Sequence, residues 1–367
     1  MANDKAITII GMGIGGFYCA GLLGVAGYTI RIHDIDDSKL AEIREHGGID
    51  VEGDGGGFAT VEKATTDLAE ALSDSGIIFV TTGGQRQEAV AKAIAPLLKD
   101  GHLILLIQGN TGGSLLFRKT LDDVGCKADI DIAEMDNYPF SAPRLGPTKM
   151  RTKVTKQWLQ IASFPGNRID AVFPRLSPMF PTAVPATNAL HTGFTNANAM
   201  LHVANCLANA SKIDRDEPYR FYAEGVTPMV ARVYEAINAE RVKVAAAYGA
   251  EVPDLPDWLK RVYGVREATL VETFNTLTFG EPGPYYMTPT PANFDHNFVA
   301  EDVPVGLIPM VAFAENAGIK TPAIQCLIDL SRAMTGETYD EHARSLERLG
   351  LGGKSVDQIR QIMAEGF

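Results

Sequence analysis

Several features are missing or scarce in this 367-residue sequence, and each absence narrows the reading. There are four cysteines (Cys19, Cys126, Cys206 and Cys326), far apart and without a CxxC spacing. They build neither a disulfide framework nor a zinc site, so no metal is expected and a reducing cytoplasm fits. Basic residues are few: 33 Lys and Arg stand against 45 Asp and Glu, a formal net charge of −12. A nucleic-acid partner would need a concentrated basic patch, and none is implied. No apolar run approaches the ~20 residues that cross a bilayer. The longest candidate, HLILLIQ at 102–108, has the length of one buried strand. The opening MANDKAITIIG enters a strand pattern without a basic segment or cleavage pattern, so neither a secretory signal nor a membrane location is expected.

What is present is a regular alternation. Short apolar runs at 6–10, 28–34, 76–82, 102–108 and 130–135 are separated by helical patterns, as in βαβ units around a parallel sheet. The piece VEGDGGGFATVE (51–62) suits a loop or a small inserted hairpin. Prolines then cluster at 165, 174, 178, 181 and 185, and the pattern beyond is helical. An α/β fold follows: a Rossmann-type dinucleotide-binding domain over 1–185, then an all-helical domain over 186–367. Thr227-Pro228 opens one long helix as a cap and a first-turn proline. Further helices are expected around 265–278, 304–317, 321–334 and 355–365. The Pro-, Gly- and Asn-rich segment 279–302 is too irregular for one.

Residues 11–16 read GMGIGG and fit G-x-G-x-x-G between the end of a strand and the start of a helix. In that setting Gly11 makes the tight turn, Gly13 lets backbone approach a pyrophosphate, and Gly16 allows close helix–strand packing. Asp34 ends the second strand, eighteen residues after Gly16, where an acid bonds the adenosine ribose. A carboxylate there repels the extra phosphate of NADP. Asp36 and Asp37 offer no arginine to receive it, and Arg31 lies back on the strand. NAD(H) is therefore favoured over NADP(H).

In GFTNANAMLHVANCLANA (193–210) an apolar helical stretch is interrupted by Asn198, His202, Asn205 and Asn209. Their spacing of four, three and four places them within roughly a 60° arc of a helix. A narrow polar stripe on an apolar helix suits one wall of a site in the cleft between two domains. His202 is a natural general acid/base there, because an imidazole ordinarily titrates near working pH. The alternative is a core histidine satisfied by a neighbour.

These residues resemble the opine dehydrogenase family, of the octopine and nopaline dehydrogenase type, most closely its bacterial N-(1-carboxyethyl)norvaline dehydrogenase branch. The resemblance runs through LHTGFTNANAMLH (190–202), TGGSLLFRKTL (111–121), INAERVKVAAAYG (237–249), EDVPVGLIP (301–309) and SLERLGL (345–351). It implies an oxidoreductase that joins an amine to a 2-keto acid or related ketone and reduces the imine to a secondary amine with NAD(P)H. By carry-over the catalytic histidine is His202 and its carboxylate partner is Asp302. Asn198 and Thr195 then lie beside the substrate or nicotinamide. Small-molecule amine and carbonyl substrates and a homodimer are the partners expected.

Two positions depart from the family pattern. Val203 replaces a proline after the histidine. Asn297 stands where members carry an arginine that holds the keto-acid carboxylate, in a loop that looks longer than usual. Arg144, Arg175 and His296 are the candidates to replace that arginine. Rival readings are a reductase of the ketopantoate or glycerol-3-phosphate dehydrogenase kind, which typically relies on a lysine in the second domain, and a non-catalytic NAD(H) sensor.

Overall fold

The computed structural model describes residues 3–141, 144–152, 154–280, 283–286, 288 and 290–367. The chain divides into two compact units. One comprises residues 1–109 and 113–186, the other 110–112 and 187–367. The three residues Asn110–Gly112, which the sequence pattern leaves in the first domain, group with the second.

The first unit is built on an eleven-stranded sheet. Its parallel centre consists of β1 (Ala6–Ile10), β2 (Thr29–His33), β4 (Gly57–Thr65), β5 (Ile77–Val80), β6 (Leu103–Leu106) and β7 (Asp131–Met135). Neighbours run in the order β7-β6-β5-β1-β2-β4. At its middle β5 (IIFV) and β6 (LILL) are wholly apolar and β1 is buried throughout, as a sheet covered by helices on both sides requires, whereas β4 at the flank is largely exposed. Helices α1 (Ile14–Val25), α2 (Ser38–His46), α3 (Leu68–Leu72), α4 (Gln87–Ile94) and α5 (Gly113–Asp123) supply the crossovers. The 51–62 piece is the turn and second arm of a hairpin. β3 (Gly48–Glu52) pairs antiparallel with β4, which extends the main sheet by pairing with β2.

The sequence pattern gives no strand between 136 and 185, and here the structure differs. The chain leaves β7 and forms β8 (Phe140–Ser141), β9 (Arg144–Gly146), β10 (Lys149–Arg151) and β11 (Val154–Thr155) before returning as β12 (Leu159–Phe164). β12 pairs antiparallel with β7, whereas β10 pairs with β3 at the opposite end of the sheet. The described residues between 137 and 157 therefore form a strap along α1: a Cβ on Gly15 would meet the Tyr138 ring at 2.1 Å, and one on Gly21 would meet Met150 at 2.4 Å. These strands are only two or three residues long and mostly polar, so no periodicity announces them. α6 (Ile169–Leu176) and β13 (Ala183–Pro185) complete the unit, and α6 carries Pro174 in its last turn.

The described part of the second unit is helical. α7 (Ala189–Thr195), α8 (Asn198–Ala208) and α9 (Ala210–Asp214) are followed by the long α10 (Pro228–Ala247), which Thr227 caps by accepting from the Val230 N–H. Then come α11 (Leu255–Tyr263), α12 (Leu270–Phe279) and α13 (Asn297–Ala300). α14 (Ile308–Asn316), α15 (Pro322–Thr335) and α16 (Val356–Glu365) end the chain. α11 is too short to stand out in the sequence, although Asp254 caps it and Gly264 stops it in the left-handed conformation. Part of the irregular 279–302 segment lies outside the described residues, and its end forms α13. From Asn297 to Asn316 the helix is continuous, 20 residues long, and apolar enough by composition to cross a membrane. Its most apolar stretch is 61% buried within the protein, as a core helix should be.

The 193–210 stretch is not one uninterrupted helix, although the polar stripe itself lies on α8 and its C-cap. α7 stops at Thr195, Asn196 is extended, and α8 restarts at Asn198. Asn196 Oδ1 accepts the Asn198 N–H at 2.8 Å, which satisfies one of the orphan donors at the new helix start.

Candidate active site

The glycine loop follows directly from β1. Gly11 has φ +100°, a left-handed conformation costly for any residue with a Cβ, and its N–H donates to the His33 carbonyl at 2.8 Å. The Thr81 hydroxyl donates to the Gly11 carbonyl at 2.6 Å. A Cβ on Gly16 would lie 1.9 Å from that same carbonyl oxygen, so only glycine lets α1 start this close to the turn. A Cβ on Gly13 would meet nothing within 4 Å; the backbone there faces open space. The loop thus offers an approachable backbone at a helix N-terminus, the arrangement that suits a pyrophosphate.

Asp34, just past β2, is buried but richly bonded. Its carboxylate accepts the N–H groups of Met12 (2.7 Å) and Asp36 (3.0 Å) and the Lys39 ammonium (3.2 and 3.3 Å). Burial opposes its ionisation, yet the two N–H bonds and Lys39 outweigh that and hold the carboxyl below its usual range. Lys39 is absent from the sequence reading. It lies on α2, five residues after Asp34, and only the turn between them brings its head back.

In the second unit His202 Nδ1 lies 2.7 Å from Asp302 Oδ2, with both side chains largely buried. A carboxylate can only accept, so Nδ1 carries the proton and Nε2 is left for other chemistry. Nε2 has no hydrogen-bond partner among the described residues. The two residues are one hundred positions apart and meet through a close helix crossing. Asp302 immediately precedes a π-helical turn, Val303–Leu307, which contains Gly306. A Cβ on Gly306 would lie 2.5 Å from the Ala199 Cβ. Ala199 stands three residues before His202 and Gly306 four after Asp302, so both small residues share the face on which the pair meets. Such π-turns occur often at functional sites.

Sequence reasoning missed Phe298. Its ring stacks on the His202 imidazole with centroids 3.9 Å apart and 21° between planes. Phe221 approaches Phe298 at 5.0 Å, and His296 meets the Phe298 ring edge-on at 4.4 Å. The aromatic at 298 was visible in the sequence, but nothing local ties it to a histidine 96 residues away.

The stripe divides in two. Asn198 and His202 are partly exposed. Asn205 and Asn209 serve the backbone: Asn205 Nδ2 donates to the Phe221 carbonyl at 2.7 Å and Asn209 Nδ2 to the Gly225 carbonyl at 3.2 Å. They hold the loop that brings Phe221 and Tyr222 to His202. Thr195 ends α7, fully buried, its hydroxyl without a hydrogen-bond partner among the described residues. Asn297 opens α13 and is exposed, one residue before Phe298. A buried network sits behind the pair. Asn110, in the left-handed conformation at φ +57°, donates to Glu301 at 3.3 Å and accepts from Asn196 at 3.2 Å. Those two partners precede Asp302 and Asn198, so Asn110 ties together the starts of the segments that carry the pair.

Of the three candidates to replace the missing arginine, two are engaged in the first unit. Arg175 is forked on Asp4, with Nη2 2.7 Å from the carboxylate. Arg144 lies 4.1 Å over the Phe17 ring and donates to the carbonyls of Gly146 and Pro147. Only His296 stands beside His202. Arg241, in the INAERVKVAAAYG segment, is fully buried on the carbonyls of Phe194 and Pro253 and the Asn238 amide. Burial lowers its pKa to about 10, and it fastens the C-terminal end of α7.

Comparison with known proteins adds the lineage. Residues 185–335 match the family model for the NAD/NADP octopine/nopaline dehydrogenase α-helical domain, and residues 7–121 match that for ketopantoate reductase. An opine dehydrogenase from Arthrobacter sp. (strain 1C) is 31% identical over 364 residues, 99% of this chain and 100% of that one. Among solved structures, octopine dehydrogenase in complex with NADH and agmatine superposes with a TM-score of 0.77, at 19% identity and 98% coverage of both chains. Yersinopine dehydrogenase with NADP+ bound superposes at 0.68, with 16% identity over 98% of each chain. The fold is therefore a Rossmann-like dinucleotide-binding domain followed by an α-helical octopine-dehydrogenase domain. With identity above 30% along the whole chain, the protein belongs to the opine dehydrogenase family, NAD(P)-dependent oxidoreductases that act on CH–NH bonds.

Proposed function

We propose that this enzyme condenses an amine with a carbonyl compound, a 2-keto acid or related ketone, and reduces the imine to a secondary amine with NADH, together with the reverse reaction. The observation that carries the reading is the His202–Asp302 contact of 2.7 Å in a family member. A bound nicotinamide supplies the hydride. Gly11, Gly13 and Gly16 would hold the pyrophosphate on the N-terminus of α1, and Asp34 would accept from the adenosine ribose. In the reducing direction His202 donates a proton from Nε2 to the substrate nitrogen. Asp302 keeps Nδ1–H oriented throughout and stabilises the imidazolium that exists before that transfer. Asn198, one turn from His202, would orient the substrate, and Thr195 and Asn297 would flank it.

NADH is preferred over NADPH on this reading, because Asp34 is ionised and occupies the place of a 2′-phosphate. The match to ketopantoate reductase spans 7–121 only, the dinucleotide-binding part, whereas the α-helical match spans 185–335, where His202 and Asp302 lie. A homodimer in a reducing compartment is the expected setting.

The test is NADH oxidation over a grid of amines and carbonyls. Consumption should require both. His202→Ala should lower turnover by ~10²–10⁴ while leaving NADH binding intact. Oxidation of NADH by a carbonyl alone, unaffected by any amine, would overturn the reading in favour of a keto-acid reductase.

A further inference from the structure

His296 has a fixed tautomer. It is the N-cap of α13, and its Nδ1 accepts the Phe298 N–H at 3.2 Å. A ring nitrogen that accepts carries no proton, so the neutral imidazole must hold its hydrogen on Nε2. Nε2 has no partner among the described residues. The ring is half-buried and rests edge-on against Phe298 at 4.4 Å, while the Phe298 ring stacks on His202 at 3.9 Å. Two imidazoles thus flank one phenyl ring: one aligned by Asp302 for proton transfer, the other aligned by a helix cap as a neutral N–H donor. The distance between them cannot exceed the sum of those two ring contacts, which a substrate with a carboxylate next to its reacting carbon can span. Charge keeps the roles apart. Burial and the nearby His202 both push the His296 pKa below its ordinary value, and Asp302 opposes them only in part. Protonation would also destroy the cap, since Nδ1 could no longer accept.

We infer that His296 is a specificity-determining residue of this site, donating from Nε2–H to a carboxylate oxygen of the substrates. The inference rests on the function proposed above. Either half of the product could bring that carboxylate, the keto acid or the amino acid, and the experiment separates them. His296→Asn is the informative variant, because asparagine is among the best N-caps and keeps an acceptor for Phe298 N–H while removing the imidazole donor.

Wild type and variant are compared on pyruvate against a size-matched ketone and on alanine against ethylamine, with the thermal midpoint recorded for each protein. The expected result is an unchanged midpoint, kcat within about threefold, and a KM raised on the order of 10–100-fold, the worth of one bond to a charged group. That rise should appear for only one carboxylate-bearing substrate and be absent for its carboxylate-free counterpart, which identifies the half bound. Equal KM values in wild type and variant for both carboxylated substrates, or a rise shared by their carboxylate-free analogues, would make His296 a cap and nothing more. A second readout needs no turnover: in protein labelled with ¹⁵N-histidine and mixed with NADH, pyruvate or alanine should move the His296 Nε2 resonance and the carboxylate-free analogues should not. If neither moves it, the inference falls. If the resonance moves while no amine–carbonyl pair consumes NADH, the donor stands and the proposed reaction falls.

Discussion

The Cβ position of Gly306 lies 2.5 Å from the Cβ of Ala199, closer than two carbon side chains can approach. This gap between α8 and the π-turn lets a histidine on one element and an aspartate on the other meet at 2.7 Å. Gly306→Ala should therefore force the two apart. Overpacking of this kind costs about 1–3 kcal/mol, and turnover should fall along with the thermal midpoint. The check is compensation: Ala199→Gly in the same chain restores the space and should recover most of the activity. No recovery would mean that the glycine serves the π-turn itself rather than the crossing.

Asp34 and Lys39 make the cofactor prediction sharper than sequence alone allows. The cation an NADP phosphate would need is already present, 3.2 Å from the carboxylate it now neutralises. Asp34→Ala alone should raise the NADPH-to-NADH ratio of kcat/KM by at least tenfold, and Asp34→Ala with Lys39→Ala should lose most of that gain. A wild type at least as efficient with NADPH would refute the assigned role of Asp34.

Asn205 should be worth more to the fold than to the chemistry. Its amide donates to the buried Phe221 carbonyl, and removing it strands that carbonyl. Asn205→Ala should cost about 1–3 kcal/mol in denaturant unfolding. Because Phe221 packs beside Phe298 and His202, turnover should fall several-fold without the collapse expected of His202→Ala.

The ends of the strap carry a buried acid and a buried base, Asp136 and Lys156. Burial pushes the Asp136 carboxyl up, against the Gln160 N–H and the positive Lys156, and pushes the Lys156 ammonium down, against the negative Asp136. A carboxyl raised on folding contributes stability in acid that is lost as pH climbs past its ordinary 3.8. A lysine lowered on folding costs stability at low pH, a cost lifted as pH rises toward 10.5. Lys156→Met removes the second effect and worsens the first. The stability gap between wild type and variant should widen from pH 5 to pH 8, reaching roughly 3–5 kcal/mol at the upper end. Thermal midpoints across that range check it; a gap that narrows would show that the two groups do not face each other.

What the sequence determined by itself was whatever depends on near neighbours. A strand, a glycine turn and a helix start are contiguous, so GMGIGG and the βαβ alternation could be read directly. The thinly polar stripe likewise exposed His202, because helical spacing is local. Other features depend on residues far apart. Nothing in the spacing singles out Asp302 among 45 acidic residues; only the resemblance pointed to it, and the crossing at Ala199 and Gly306 sets the distance. The strap over α1 is built from strands too short and polar to have a period, and the pairing of β10 with β3 and β9 and of β8 with β11 creates them. Lys39 reaches Asp34 through a turn, and Phe298 reaches His202 through the packing of α13 on α8. Local propensity carries about one turn or one strand of information. Which distant surfaces close on each other is decided by how side chains pack when the whole chain has folded.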